Sequence, residues 1–221
     1  VQAGGTVDAA GADLLRSMVA ARVNFLVSGA TGAGKTTLLA ALVSLAPPSE
    51  RIVVIEEAQE IITAHPHCVR LEARAANAEG RGLVTLTDLV RESLRMRPDR
   101  IVLGECRGPE VREVLTALNT GHEGSAATIH ANSCEDVPAR LTALGSLAGM
   151  DGRTVAVQAA AALGAVIHLA RGVGGARRMQ AIAAFELSGS DLAAVPAVVF
   201  GVDGPRAGPG WDRLSRRLER A

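Results

Sequence analysis

Residues 29–36 read G-A-T-G-A-G-K-T, which satisfies the pattern G-x-x-x-x-G-K-[ST] at every fixed position. Such a loop functions only between a strand and a helix. Its glycines let successive backbone N–H groups turn toward one point and cup phosphate oxygens. The lysine ammonium reaches the outer phosphates, and the hydroxyl of the last residue serves a magnesium ion. Gly29, Ala30, Thr31, Gly32, Ala33, Gly34, Lys35, Thr36 and the adjoining Thr37 are therefore the candidate nucleotide-binding residues. The flanks supply the required context. Residues 23–28 (V-N-F-L-V-S) predict a buried strand, and residues 36–46 place Leu38, Leu39, Leu42, Val43 and Leu45 at helical spacing before Pro47-Pro48 stops them.

Composition sharpens the reading of Lys35. Of the 23 basic residues it is the only lysine; the others are arginine. A compact ammonium between phosphate oxygens is a task that arginine does not take over. The Arg bias itself accounts for the other 22, but not for this exception. Basic and acidic residues balance at 23 each, so the charge excess of a bare nucleic-acid binder is missing. Aromatics make up 2% of the 221 residues, so Ala, Val, Leu and Ile must build the core. That favours buried parallel strands over an aromatic-rich sandwich.

The rest of the chain alternates accordingly. Helices are predicted over 8–21, 86–96, from Pro109, and over 135–147 and 154–163. Strands are predicted over 52–55, 69–71, 101–103 and 125–129, with a polar loop at 75–82. Residues 165–170 and 179–187 flank R-G-V-G-G-A-R and suggest a hairpin at the sheet edge. Strand–helix alternation through 23–147 indicates βαβ units and a mainly parallel α/β sheet flanked by helices. One domain is expected over 1–202, followed by a Gly/Pro/Arg-rich tail over 203–221 in which residues 212–220 suit a short helix. The chain begins with Val1 and reads as part of a longer protein. Its first residues lack the basic and apolar regions of a signal peptide, and its longest apolar stretch, 155–170, is too weak to span a bilayer. Cys68, Cys106 and Cys134 lie far apart without a C-x-x-C pair, which supports neither a zinc site nor a disulfide framework.

A phosphate loop needs an acidic partner to hold Mg²⁺ and manage water. Glu105 follows I-V-L-G and Glu56 follows V-V-I, each at the C-terminal end of a predicted core strand, where ligands of open α/β sheets bind. Glu57 and Glu60 stand beside Glu56 as secondary candidates. Glu105 and Glu56 are the candidate catalytic acids, with Thr36 and Glu105 the candidate Mg²⁺ ligands. His130, at the end of the strand predicted over 125–129, is placed to meet a γ-phosphate or organise water; His122 brackets the same segment. Arg70, Arg74 and Arg81 cluster in a glycine-containing loop that suits a residue offered across a subunit boundary, and Arg107 follows Glu105 closely.

Taken together, these segments resemble the secretion ATPases of type II and type IV systems, most closely the tight-adherence pilus branch. Four ordered motifs over about residues 5–200 carry the resemblance: S-G-A-T-G-A-G-K-T-T; R-I-V-V-I-E-E-A-Q-E-I, similar to an acidic box; L-V-R-E-S-L-R-M-R-P-D-R-I-V-L-G-E-C-R-G, similar to a second acidic strand; and A-L-N-T-G-H-E-G-S-A-A-T-I-H-A-N-S, similar to a histidine box. By position the resemblance implies that Glu56 is the acidic-box glutamate, Glu105 the Mg²⁺/water glutamate, and His122 and His130 the histidine-box pair. It implies a RecA-like P-loop fold in a homo-hexameric ring with ATP and Mg²⁺ at subunit interfaces. It further implies a cytoplasmic location at the inner face of the cell membrane, and action on inner-membrane platform proteins that extrudes or retracts pilin. No membrane insertion and no nucleic-acid partner are implied. Glu57 stands at the family's usual Asp position and Cys106 at an apolar one. The resemblance implies a further domain ahead of the motor, of which the 28 residues before Gly29 are too few to be the whole, and these 221 residues carry no tetracysteine element of the general-secretion branch. Two other readings of the same fold stay open, a nucleic-acid translocase and a nucleotide-set switch without turnover. Scarce aromatics for base stacking count against the first.

Overall fold

The computed structural model describes residues 5–219. Residues 1–4 of the predicted domain, and residues 220–221 with Arg220 of the predicted terminal helix, lie outside them. Among the described residues nine strands form one sheet in the order β3-β2-β4-β5-β1-β6-β7-β8-β9. The first five are β1 (Phe25–Ser28), β2 (Ile52–Glu56), β3 (Cys68–Glu72), β4 (Arg100–Leu103) and β5 (Ala126–Ile129). They pair in parallel with one another, and β6 (Ala165–Arg171) pairs in parallel with β1. From β6 onward the sheet turns antiparallel through β7 (Arg177–Ser188), β8 (Asp191–Gly201) and β9 (Gly204–Ala207).

Alternation along the central strands divides the core in two, because successive side chains point to opposite faces. Leu26, Val53, Ile55, Ile101, Leu103 and Ile129 pack on one face against Val90 of α3 (Leu86–Ser93), Val114 of α4 (Val111–Leu118), Leu141 of α5 (Val137–Leu147) and Val155 of α6 (Gly152–Ala162). Phe25, Val27, Ile52, Val54 and Val102 pack on the other, against Leu15 and Met18 of α1 (Ala9–Ala20), Leu38 and Leu39 of α2 (Lys35–Val43) and Leu214 of α7 (Trp211–Leu218). With both faces covered, β1, β2, β4 and β5 are buried at every residue, which is why they read as apolar runs.

Capping fixes the helix starts. Asp8 accepts from the Gly11 amide at 2.7 Å, Asp151 from the Thr154 amide at 2.9 Å, and Thr85 and Asp88 form a reciprocal capping box. Asn24 ties the N-terminal rim of the sheet together. It accepts from the Ser125 amide at 3.0 Å and donates to Ala162 O at 2.9 Å and Leu118 O at 3.3 Å.

Two expectations need correction. The hairpin β6–β7 does not sit at the sheet edge; β8 and β9 lie beyond it, and both went unpredicted. Pro196 interrupts the pattern of β8, and proline within a run argues against a strand. Here it falls where the β7–β8 register slips, so the ladder loses little. The second concerns the helix expected over 86–96. Its last turn, Leu94–Met96, is 3₁₀, and Arg97 leaves it at φ 52° ahead of Pro98.

Candidate active site

The C-terminal ends of β1, β2, β4 and β5 meet along one rim. There they enclose a cleft of about 320 Å³ lined by Thr31, Gly32, Lys35, Thr36, Glu56, Glu57, Glu60, Gly104, Glu105, Arg107, Thr128 and His130. Chain order alone puts them there, since parallel strands direct every loop that follows them to the same edge.

The loop after β1 turns into α2 at Gly34, whose φ of 97° is open to glycine but strained for other residues. Lys35, 8% exposed, folds back over the loop and donates to Gly29 O at 2.9 Å and Ala30 O at 3.1 Å. Its Nζ lies 3.3 Å from His130 Nε2. Burial lowers its pKa, and the charge on Glu105 opposes that shift. Thr36 presents its hydroxyl 3.4 Å from a Glu60 carboxylate oxygen. Ala33 is buried beneath the loop. Thr37 is exposed one residue further along α2 and does not line the cleft.

Glu56 is 4% exposed and is fixed in place. Its Oε1 accepts from the amides of Glu60 at 3.0 Å and Ile61 at 2.9 Å, so it holds the turn after β2 as well as facing the cleft. A methyl group built on Gly104 would lie 2.9 Å from Glu56 Cγ, so the β4 end passes close against this carboxylate. Thr128 Oγ1 donates to Gly104 O at 2.6 Å and the Cys106 amide to Thr128 O at 2.8 Å, which sets the segment carrying Glu105.

Glu105 Oε1 stands 3.0 Å from His130 Nε2, with both side chains more than a third exposed. The contact favours an imidazolium. Burial and the neighbouring Lys35 ammonium act in the opposite sense and prevail, so the His130 pKa is lowered and the ring is neutral at neutral pH. A neutral Nε2 either accepts from Lys35 or donates to Glu105, one at a time.

Four carboxylates, Glu56, Glu57, Glu60 and Glu105, face two cations, Lys35 and Arg107, across the cleft. A bare polyphosphate would meet repulsion there, and a divalent cation would offset it. Among the described residues no three His, Cys, Asp or Glu side chains converge on a metal position. Mg²⁺ is suited to this kind of donor set, because it takes one or two protein oxygens and completes its shell with phosphate and water.

Other sequence candidates fall outside the cleft. His122 lies before β5, at the opposite rim, where its Nδ1 sits 3.0 Å from Ala117 O; the structure does not bring it to His130. Arg70, Arg74 and Arg81 are exposed and away from the cleft. Arg74 donates to Gly82 O at 2.7 Å and bridges Val84, closing the 75–83 excursion at its base. Arg107, by contrast, lines the cleft and pairs there with Glu57.

Three contacts were not foreseen. Ser28, immediately before Gly29, hydrogen-bonds the buried His168 of β6 at 2.9 Å. Arg177 Nε donates to Gly32 O at 3.1 Å, and the Arg171 guanidinium lies beside Gly32. All three come from β6 and β7. The sequence carries the arginines at both ends of R-G-V-G-G-A-R but does not say that β6 pairs with β1.

A G-x-x-x-x-G-K-T loop at the switch edge of a mostly parallel sheet, with two strand-end glutamates opposite, is the arrangement of an α/β P-loop domain. The sequence profile of the type II/IV secretion system protein family matches residues 1–190, and the chain belongs to that family. A Mycobacterium tuberculosis (H37Rv) protein named as a conjugal transfer protein is 55% identical over 181 residues, which are 82% of this chain and 51% of its own. VirB11 of Rhizobium radiobacter is 43% identical over 116 residues, 52% of this chain and 34% of its own. Among solved structures, the VirB11 ATPase of the Brucella suis type IV secretion system, in complex with sulphate, matches with a TM-score of 0.68 at 31% identity. The match covers 77% of this chain and 52% of that one. The pilus retraction motor PilT shares the fold at TM-score 0.56 and 23% identity, over 92% of this chain and 54% of that one. The chain thus spans about half the length of the relatives it matches. The RecA-like fold expected from the motifs is the fold of this family.

Proposed function

We propose that this chain is the ATP-hydrolysing motor domain of a secretion or pilus-assembly machine. One observation carries the reading: Lys35, Thr36, Glu56, Glu105 and His130, which leave four different strands, converge on one cleft above a phosphate loop. Lys35 is placed to exchange the Gly29 and Ala30 carbonyls for phosphate oxygens. Thr36 and Glu105 would hold Mg²⁺, whose chemistry is to neutralise charge on the β- and γ-oxygens. Glu105 is the group with reach and exposure to take a proton from a water attacking the γ-phosphorus, while the bridging oxygen leaves with ADP. Glu56, pinned by two amides, orients rather than moves. His130 exchanges its Nε2 partner between Lys35 and Glu105 and so senses whether Lys35 has been drawn to phosphate.

Around this site we read a homo-hexamer, with Arg70, Arg74 and Arg81 offered from a neighbouring subunit. Their exposure and distance from this cleft support that placement. The partners are inner-membrane platform proteins at the cytoplasmic face, and the motif resemblance supports the tight-adherence pilus branch. The Brucella suis VirB11 ATPase belongs by name to a type IV secretion system, and its sulphate complex is in keeping with an anion site on this fold. Balanced charge supports a protein rather than nucleic-acid substrate.

The test is ATP turnover by the intact protein as a function of its concentration. Specific activity should rise steeply with assembly, and Glu105→Gln should retain Mg-ATP binding but lose turnover by roughly 10²–10⁴-fold. Full turnover in Glu105→Gln would move the base to Glu56; concentration-independent activity would remove the shared site.

A further inference from the structure

In the structure the phosphate loop is held from two directions. Lys35 takes the Gly29 and Ala30 carbonyls, as described above. The second hold comes from the β6–β7 hairpin, through the Arg177 bond to Gly32 O at 3.1 Å. Arg177 Cδ also lies 3.3 Å from where a Cβ on Gly34 would be, and an Arg171 nitrogen lies 3.4 Å from the same point on Gly32. The two arginines are cross-strand partners, one ending β6 and the other starting β7. Neither lines the cleft, and among the described residues neither is ion-paired.

The two holds differ in what a ligand does to them. A polyphosphate draws the Lys35 ammonium away from its loop carbonyls and removes the first. The Arg177 bond needs no such exchange, because a trans peptide points its C=O and N–H in opposite directions. Holding Gly32 O outward therefore also fixes the direction of the Ala33 N–H on the far side of the same peptide. Arg171 adds a second positive charge beside a loop that is to receive several negative ones.

We propose that the β6–β7 hairpin is a clasp in cis on the phosphate loop, with Arg177 and Arg171 as positioning residues for polyphosphate binding. The clasp rests on the nucleotide reading of the loop. It acts on binding and leaves the proton transfer at Glu105 alone, so its loss raises KM and spares kcat.

The experiment is titration of the intact protein with Mg-ATP and Mg-ADP, with steady-state kinetics and ligand-free melting temperatures. The variants are Arg177→Gln, Arg171→Gln, their double variant, and Arg178→Gln as the control, since Arg178 points to the opposite face of the strand. Arg177→Gln should weaken both nucleotides about tenfold, the scale of one charged hydrogen bond. It should raise KM alike, with kcat held within about twofold and melting unchanged. Arg171→Gln should weaken binding about threefold at low salt and less at high salt, because its contribution is charge without a bond. If Arg177→Gln lowers the melting temperature, Arg177→Lys, which keeps a charged donor, should restore both stability and affinity. A stable Arg177→Lys with the affinity of the Gln variant would overturn the clasp. So would a double variant that binds like wild type, or Arg178→Gln costing as much as Arg177→Gln. Wild-type protein that binds neither nucleotide would overturn the clasp and the nucleotide reading together. Tight wild-type binding lost in Lys35→Ala but unchanged in the double variant would overturn the clasp alone.

Discussion

His130 is the residue where the chemistry of the cleft can be read directly. Burial and Lys35 pull its pKa down, while Glu105 pulls it up. Removing each neighbour should therefore move the titration in opposite directions. An NMR titration of the ring in Glu105→Gln should show its midpoint below that of wild type, and in Lys35→Met above it. Equal midpoints in all three would mean that the trio does not share one site. At this scale the sequence was legible where a residue type had one job. Lys35 stood out as the single lysine, and Glu56 and Glu105 as charges ending apolar strands. His122, a secondary candidate, was paired with His130 because both bracket one segment. A strand separates them, and the two ends of a strand belong to opposite rims of the sheet. Arg177 was hidden among 22 arginines, and its partner lies 145 positions earlier in the chain.

The strands themselves set the site, and their ends pack with little slack. β4 leaves the sheet at Gly104, against Glu56 of β2, at a separation where an added methyl group would be 2.9 Å from Glu56 Cγ. Because two amides pin that carboxylate, the side chain cannot swing aside without giving up its bonds. Gly104→Ala should cost about 1–3 kcal/mol of stability by overpacking and should lower turnover by displacing Glu56. Denaturant melts and kinetics would check it; wild-type stability with wild-type turnover would show that the approach is not tight. The parallel strands were legible because burial on both faces makes them continuous apolar runs between helices with clear periodicity. β8 was not legible, because its alanines carry little β signal and Pro196 contradicts a ladder. A slip in register with β7 accommodates that proline, and a slip leaves no mark in one strand read alone.

For the molecule as a whole, two-sided burial has an acid-side consequence. His168, 4% exposed, hydrogen-bonds Ser28, and burial lowers its pKa from 6.5 while the charges of Glu135 and Asp136 oppose that shift. His130 is lowered in the same sense. For both, the unfolded chain takes a proton before the folded one does, so stability rises with pH across this window. It should be complete above about pH 6.5 and fall as the pH drops from there toward the depressed values. Urea melts at pH 7.5 and 5.5 should show that loss, and His168→Asn should reduce it; a pH-independent midpoint in wild type would contradict the burial argument. In the proposed function the whole domain grips a polyphosphate through backbone amides and one ammonium group. Isothermal titration of Mg-ATP into the intact protein and its Lys35→Ala variant tests that most directly. Binding should be saturable in wild type and weaker by at least a hundredfold in the variant, the scale of a buried charge-assisted contact. Equal affinity in the two proteins would contradict it.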